Sequence, residues 1–96
     1  MPSFRLSKRA EADLSEIADY TIETFGIDQA RRYVAGLDTC FKALADNSLD
    51  GRGADEIAPG LRRYRNESHF VFYIPDDEGV FIVRLLHQSM DFQRHL

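Results

Sequence analysis

The spacing of apolar residues predicts two amphipathic helices in the first half of the chain. Apolar or small residues recur every three or four positions, the helical period, in two runs: Ala10, Leu14, Ile17, Thr21 and Phe25, then Ala30, Tyr33, Val34, Leu37, Phe41 and Leu44. Five acidic residues of the first run are expected on its solvent side: Glu11, Asp13, Glu16, Asp19 and Glu23. Ser7 is a favourable N-cap for the first helix, Gly26 suits its C-terminal end, and Asp28 is the predicted cap of the second. The short connection predicts an antiparallel hairpin.

Four strands are predicted around this hairpin. A short strand at 4–6 precedes the first helix, and three β-rich runs follow a polar loop at 47–60: residues 61–65, 68–74 and 80–86. Residues 66–67 and 75–79 are the expected turns, and 87–96 form a half-turn of helix or a tail. The order β-α-α-β-β-β predicts an α+β fold in which the helical hairpin packs on a small antiparallel sheet. We expect all 96 residues to belong to this single domain.

The two longest strand runs lack the alternation of apolar and polar residues that a half-exposed sheet shows. The sheet therefore needs cover on both faces, and the helical hairpin supplies only one. With a two-residue turn between Arg65 and Ser68, the other face presents four apolar and two cationic residues: Phe70, Phe72, Ile82, Leu86, Arg63 and Arg84. An apolar patch bordered by arginine is typical of a protein-binding surface. The alternative is that the C-terminal tail covers it with Met90 and Phe92.

Charge and composition narrow the range of functions. The chain has 12 basic and 16 acidic residues, and this net charge of −4 argues against non-specific binding of DNA or RNA. We expect a cytoplasmic protein with no membrane partner, because the sequence has no long apolar run or signal segment and Cys40 has no disulfide partner. The sequence also has a local cluster of arginines, Arg62, Arg63 and Arg65, for which three roles are open. The arginines protect a solvated edge strand, dock an acidic segment of a partner, or contact RNA phosphate.

Residues of catalytic type show no spacing that indicates an active site. The sequence has no paired Cys/His ligand set, no Gly-rich phosphate loop and no nucleophile elbow. His69, His87 and His95 lack the spacing of metal ligands, and Ser89 has no evident base. We therefore expect no catalytic residue, no metal and no cofactor, and the residues by themselves predict a binding module.

Four blocks of the sequence resemble ParE-type toxins of the RelE/ParE superfamily, and the resemblance spans essentially the whole chain. They are FRLSKRAEADL at 4–14, GLRRY at 60–64, SHFVFY at 68–73 and VRLLHQSMD at 83–91. The resemblance implies the RelE/ParE-like fold and a toxin of a bacterial type II toxin–antitoxin system. Such toxins poison DNA gyrase by trapping it on cleaved DNA, without bond-breaking chemistry of their own. A ParD-like antitoxin, with a ribbon-helix-helix DNA-binding half and a C-terminal arm that wraps the toxin, neutralises them.

The resemblance also implies roles for two sets of residues. The antitoxin arm is expected on the apolar face and its arginines: Arg63, Phe70, Phe72, Ile82, Arg84 and Leu86. Gyrase is expected to contact the C-terminal segment at His87, Met90, Phe92 and Arg94. Toxin and antitoxin should form a hetero-oligomer, a heterotetramer or larger, that reaches operator DNA only through the antitoxin.

Two other functions stay open. One is a RelE-like, ribosome-dependent messenger RNA endonuclease. Of the basic strand positions in that branch only Arg63 is retained here, because Leu61 and Phe70 occupy two others, and Ser89 stands near the place of a further arginine. The second is a weakly toxic co-repressor that only binds its antitoxin. The net acidic charge suggests it, since many ParE-type toxins are basic.

Overall fold

The computed structural model describes residues 2–96, which form a helical hairpin packed on a five-stranded sheet. The elements are β1 (Ser3–Leu6), α1 (Lys8–Phe25), α2 (Ile27–Asp46), β2 (Arg52–Gly53), β3 (Arg62–Asn66), β4 (His69–Asp76), β5 (Gly79–His87) and α3 (Phe92–His95). The predicted α+β architecture is confirmed; β2 lies in what was expected to be a loop. The strand order is β1-β5-β4-β3-β2, and β1 runs parallel to β5, so the sheet is mixed rather than wholly antiparallel. No helix within these residues is long and apolar enough to cross a membrane.

One residue, Gly26, separates the two helices. Its φ of 92° lies in the region that favours glycine, and it is both the C-cap of α1 and the N-cap of α2. Asp28 therefore lies inside the first turn of α2 and does not cap it, although a carboxylate there still suits the helix dipole. Ser7 caps α1 as predicted, because its Oγ accepts a hydrogen bond of 3.0 Å from the backbone N–H of Ala10.

The main core lies between the helical hairpin and one face of the sheet. Its largest fully buried side chains are Tyr73, Phe41, Leu37, Leu44, Ile82, Val71 and Val80. Tyr73 also fixes the segment after α2, since its hydroxyl donates to the carbonyl of Ser48 (2.8 Å) and accepts from the N–H of Gly51 (2.9 Å). A side chain at Gly51 would overlap the Tyr73 hydroxyl, so the close approach requires glycine.

A second apolar cluster covers the opposite face of the sheet. It consists of buried Ala54, Leu61, Phe72 and Leu86, and partly buried side chains pack against it: Ile57, Ala58, Phe70, Val83, Phe92 and Leu96. The cover thus comes from the chain itself, from the segment before β3 and from the C-terminal residues. Phe92 takes part as the tail alternative predicted, whereas Met90 is 43% exposed and does not.

A β-bulge in β5 changes which of its residues share a face. Phe72 pairs with Arg84 while Tyr73 pairs with Ile82, so Val83 is the extra residue. The alternation of faces shifts by one at this point, and Ile82 packs under the helices while Leu86 packs on the other side. The prediction that Ile82, Arg84 and Leu86 share one face is therefore wrong for Ile82.

The turn between β3 and β4 also differs from the prediction. It consists of Glu67 and Ser68, with Glu67 at φ 53°, and not of residues 66–67. Arg63 therefore lies opposite Phe72, whereas the predicted turn would place it opposite Phe70. Because the shift in pairing is two residues, the side chains stay on the predicted faces.

Candidate functional site

Three of the six residues predicted to bind the antitoxin are not accessible. Phe72 and Ile82 are 0% exposed and Leu86 is 1% exposed. Ile82 belongs to the main core, and Phe72 and Leu86 lie beneath the chain's own loop and C-terminal segment. The expected open apolar face is therefore closed in this structure.

Arg84 is also largely buried, because it forms an ion pair with Asp13 of α1. Its Nε donates to Asp13 Oδ2 (2.7 Å) and its Nη2 to Asp13 Oδ1 (2.9 Å), and both side chains are 11% exposed. This hydrogen-bonded carboxylate raises the pKa of Arg84. Asp13 Oδ2 also accepts from the backbone N–H of Leu85 (3.0 Å), where β5 has become the sheet edge since β1 ends opposite Ile82.

The expectation that Asp13 faces solvent is therefore wrong, and the sequence contains a signal for this. Asp13 lies three residues after Ala10 and four before Ile17, both of which are buried, so it falls on the apolar stripe of α1. An acidic residue at such a position needs a cationic partner, because an unpaired buried charge is costly. Arg84 is that partner.

Three arginines remain on the face of the sheet opposite the helices. Arg52 and Arg63 are directly paired across β2 and β3, and Arg65 is two residues along the same strand. With Phe70 and Phe92 they line a depression of about 610 Å³, called here the arginine groove. Its lining contains a single carboxylate, Asp50, among the residues that the structure describes.

The charge of the arginine groove is poorly neutralised by the chain itself. Arg63 lies 4.0 Å from Glu56, at the limit for an ion pair, and its side chain is 31% exposed. Arg65 Nε donates to the carbonyl of Glu67 (2.9 Å), and Arg52 has no ion pair within residues 2–96. Guanidinium groups without a close carboxylate partner can form bidentate contacts with a carboxylate or phosphate of another molecule.

A second groove, of about 390 Å³, lies on the helical side of the sheet between α1 and the residues that follow β5. It is called here the α1 groove, and its lining residues are Asp13, Glu16, Ile17, Tyr20, Thr21, His69, Leu85, His87, Ser89 and Met90. His69 Nδ1 lies 2.5 Å from the hydroxyl of Tyr33, and the His69 and His87 rings meet edge to face with centroids 5.3 Å apart. Burial, and secondarily the neighbouring His87, lower the pKa of His69, so it is neutral at neutral pH.

His87 and Ser89 form a local hydrogen-bonded pair in the turn after β5. Ser89 N–H donates to His87 Nδ1 (3.1 Å), and the Ser89 hydroxyl lies 2.7 Å from the same nitrogen. Both contacts join residues two apart, so they stabilise the turn after β5. Among residues 2–96, no three His, Cys, Asp or Glu side chains converge to hold a metal ion.

The four residues predicted to bind gyrase lie in different places. His87 and Met90 line the α1 groove. Phe92 packs on the other face, with ring centroids 5.2 Å from Phe70 and 5.0 Å from Phe72. Arg94 is exposed and pairs with Asp91 at 3.8 Å. The structure therefore does not bring the four together into one surface.

The C-terminal segment is held on the body of the protein rather than extending from it. The carbonyl of His95 accepts hydrogen bonds from the guanidinium groups of Arg84 and Arg9. Phe92 and Leu96 pack against the second apolar cluster. The segment thus forms one wall of the arginine groove and the cover of the residues beneath it.

Comparison with known proteins gives a consistent result over nearly the whole chain. The family described as "ParE toxin of type II toxin-antitoxin system, parDE" matches residues 4–92. The chain is 43% identical over 94 residues to Toxin ParE1 of Mycobacterium tuberculosis, covering 97% of this chain and 96% of that protein. It is 38% identical over 96 residues to Toxin ParE1 of Caulobacter vibrioides, covering 100% and 99%. For Toxin ParE of Escherichia coli the identity is 37% over 97 residues, covering 100% and 94%.

Solved structures share the fold. A chain of the chromosomal ParDE toxin–antitoxin system from P. aeruginosa superposes with a TM-score of 0.77 at 24% identity, covering 91% of this chain and 96% of that one. A chain of the RelBE2 toxin–antitoxin complex from Mycobacterium tuberculosis superposes with a TM-score of 0.68 at 22% identity, covering 92% and 100%. The helical hairpin on a five-stranded sheet is thus a fold that this chain shares with chains of these two toxin–antitoxin systems.

Proposed function

Since the chain belongs to the ParE toxin family of type II toxin–antitoxin systems, we propose that it inhibits bacterial DNA gyrase by binding it and trapping it on cleaved DNA. A ParD-like antitoxin neutralises it, and both act in the cytoplasm, where gyrase works. The observation that supports this most is the match to the ParE family over residues 4–92, which runs from β1 to the start of α3.

The separation of the arginines from the histidines supports an action by binding rather than by histidine-assisted RNA cleavage. General acid–base catalysis needs the acid, the base and the cations that stabilise charge within hydrogen-bond reach of one reacting centre. Here Arg63 and Arg65 lie on one face of the sheet, while His69 and His87 lie on the other, under the helices. No histidine lines the arginine groove among the described residues.

The arginine groove is the proposed site of the antitoxin arm. An acidic arm would pair its carboxylates with Arg52, Arg63 and Arg65 and place apolar side chains against Phe70 and Phe92. Of the six residues predicted for this role, Arg63 and Phe70 line this groove. The other four contribute to folding in the state seen here.

The test of this function uses the purified chain with gyrase, ATP and supercoiled plasmid. We expect linear DNA from trapped double-strand breaks, and its loss when the antitoxin is added. Absence of linear DNA with folded protein would contradict the gyrase proposal. Cleavage of messenger RNA at the ribosomal A site would then identify an endonuclease, and inactivity in both assays with intact antitoxin binding would identify a co-repressor.

A further inference from the structure

The α1 groove has apolar walls that the fold leaves exposed. Tyr20, on α1, is 60% exposed and Met90, after β5, is 43% exposed, and the two line opposite sides. Between them lie Ile17 and Leu85, which are 8% and 3% exposed and belong to the main core. A partner side chain placed here would therefore contact apolar residues of both the core and the exposed rim.

The rim of the same groove is acidic. Glu16 lines it, is exposed, and has no ion pair within residues 2–96. Asp13, deeper in the groove, is already neutralised by Arg84. His69, which the Tyr33 hydroxyl contacts, adds no positive charge at neutral pH. The uncompensated charge at the α1 groove is therefore negative.

The two grooves thus differ in both charge and position. The arginine groove is cationic and lies on the face of the sheet opposite the helices, whereas the α1 groove lies on the helical side. An acidic antitoxin arm suits the first and would be repelled by Glu16 at the second. A ligand of the α1 groove must have the opposite character.

We propose that the α1 groove is the surface by which this toxin holds its target protein, through a segment that presents an apolar side chain next to a lysine or arginine. The apolar side chain lies between Tyr20 and Met90, and the cation pairs with Glu16. Target and antitoxin arm thereby contact different faces of the sheet. This inference rests on the proposed function, in which the target is gyrase.

The experiment compares single variants by growth inhibition on induced expression, by gyrase trapping and by antitoxin affinity. Glu16→Lys and Tyr20→Ala change the α1 groove, and Arg65→Glu changes the arginine groove. Asp19→Lys is the matched control, because it makes the same charge change on the exposed side of α1 without lining the groove. Far-ultraviolet circular dichroism, which does not depend on the antitoxin, shows that each variant is folded.

We expect Glu16→Lys and Tyr20→Ala to lose growth inhibition and to need roughly tenfold more protein for trapping, as for central residues of an interface. Their antitoxin affinity should stay within about twofold of wild type, and Asp19→Lys should match wild type throughout. Arg65→Glu should show the reverse, with toxicity kept and antitoxin affinity reduced.

Each other outcome contradicts a definite part of the proposal. If Glu16→Lys and Tyr20→Ala inhibit growth as wild type does, the α1 groove does not hold the target. If they lose antitoxin binding while folded, the groove belongs to the antitoxin. If the wild-type chain inhibits growth without trapping gyrase, the proposed target is wrong, and the growth comparison still tests the groove. A wild-type chain that does not inhibit growth overturns both.

Discussion

The ion pair between Asp13 and Arg84 allows a quantitative prediction about stability. It joins α1 to β5 at the point where β5 becomes the edge of the sheet, and Arg84 also donates to the carbonyl of His95. Replacing Asp13 by Asn keeps the size of the side chain but removes its charge. The guanidinium of Arg84 would then remain largely buried without a counter-ion.

The expected cost follows from the contacts that Asp13 makes. Its carboxylate accepts three hydrogen bonds, two from Arg84 and one from the N–H of Leu85. Breaking a buried ion pair costs about 3–5 kcal/mol. Because each side chain is still 11% exposed, we expect the lower end of that range, about 3 kcal/mol. For a domain of this size the melting temperature should fall by about 12–24 °C.

Urea unfolding followed by far-ultraviolet circular dichroism measures this loss directly. Asp19→Asn is the matched control, since Asp19 is exposed on the same helix, and should change the free energy of unfolding by less than about 0.5 kcal/mol. Arg84→Met completes a double-mutant cycle, in which the double variant should cost about 0.5–3 kcal/mol less than the sum of the single variants. A loss below about 1 kcal/mol for Asp13→Asn, or full additivity in the cycle, would refute the reasoning.

Three further predictions concern other parts of the molecule. Phe92→Ala should cost about 2 kcal/mol in urea unfolding, below the range for a fully buried ring, because Phe92 is only partly buried; the exposed Gln93→Ala should be neutral. Burial lowers the pKa of His69, so below neutral pH the unfolded chain protonates this histidine more readily than the folded chain does. The free energy of unfolding is therefore unaffected by His69 above pH 6.5, the ordinary histidine pKa, and decreases as the pH falls below that value. The melting temperature of wild type should therefore fall more than that of His69→Gln between about pH 7.5 and pH 5.5; equal slopes would exclude His69 as the cause. Burial raises the pKa of the Cys40 thiol to about 11, so alkylation in the folded chain at about pH 8 should be at least roughly a hundredfold slower than in urea, and similar rates would contradict its burial.

The local pattern predicted the helices well and their junction less well. The amphipathic period and Ser7 place α1 correctly, because period and cap depend on residues within one or two turns of each other. Asp28 has the side chain of a cap but not the position, since the chain reverses direction at Gly26 alone. Whether Gly26 or Asp28 caps α2 depends on how the two helices pack against each other, and the sequence of one helix carries no information about that packing.

The expectation of an open apolar face was wrong for a different reason. Sequence patterns assign strand residues to sheet faces on the assumption that successive side chains alternate. The bulge at Val83 interrupts this alternation between Ile82 and Arg84. Burial of Phe72 likewise depends on Phe92, which is twenty residues away and belongs to another element. The sequence of the strand itself indicates neither the bulge at Val83 nor the packing of the C-terminal segment on Phe72.

By itself, the sequence determined the helical hairpin, the order of the main strands and, through motifs at 4–14 and 83–91, the family to which the chain belongs. These features depend on short-range periodicity and on residue identity, both of which are properties of the sequence. Only the tertiary structure decided which side chains face a partner. It paired Asp13 with Arg84, closed the apolar face with the chain's own C-terminal residues, and placed the arginines of the arginine groove and Tyr20 on opposite sides of the sheet. Exposure depends on contacts between distant residues, because a side chain is buried only when another element of the fold covers it.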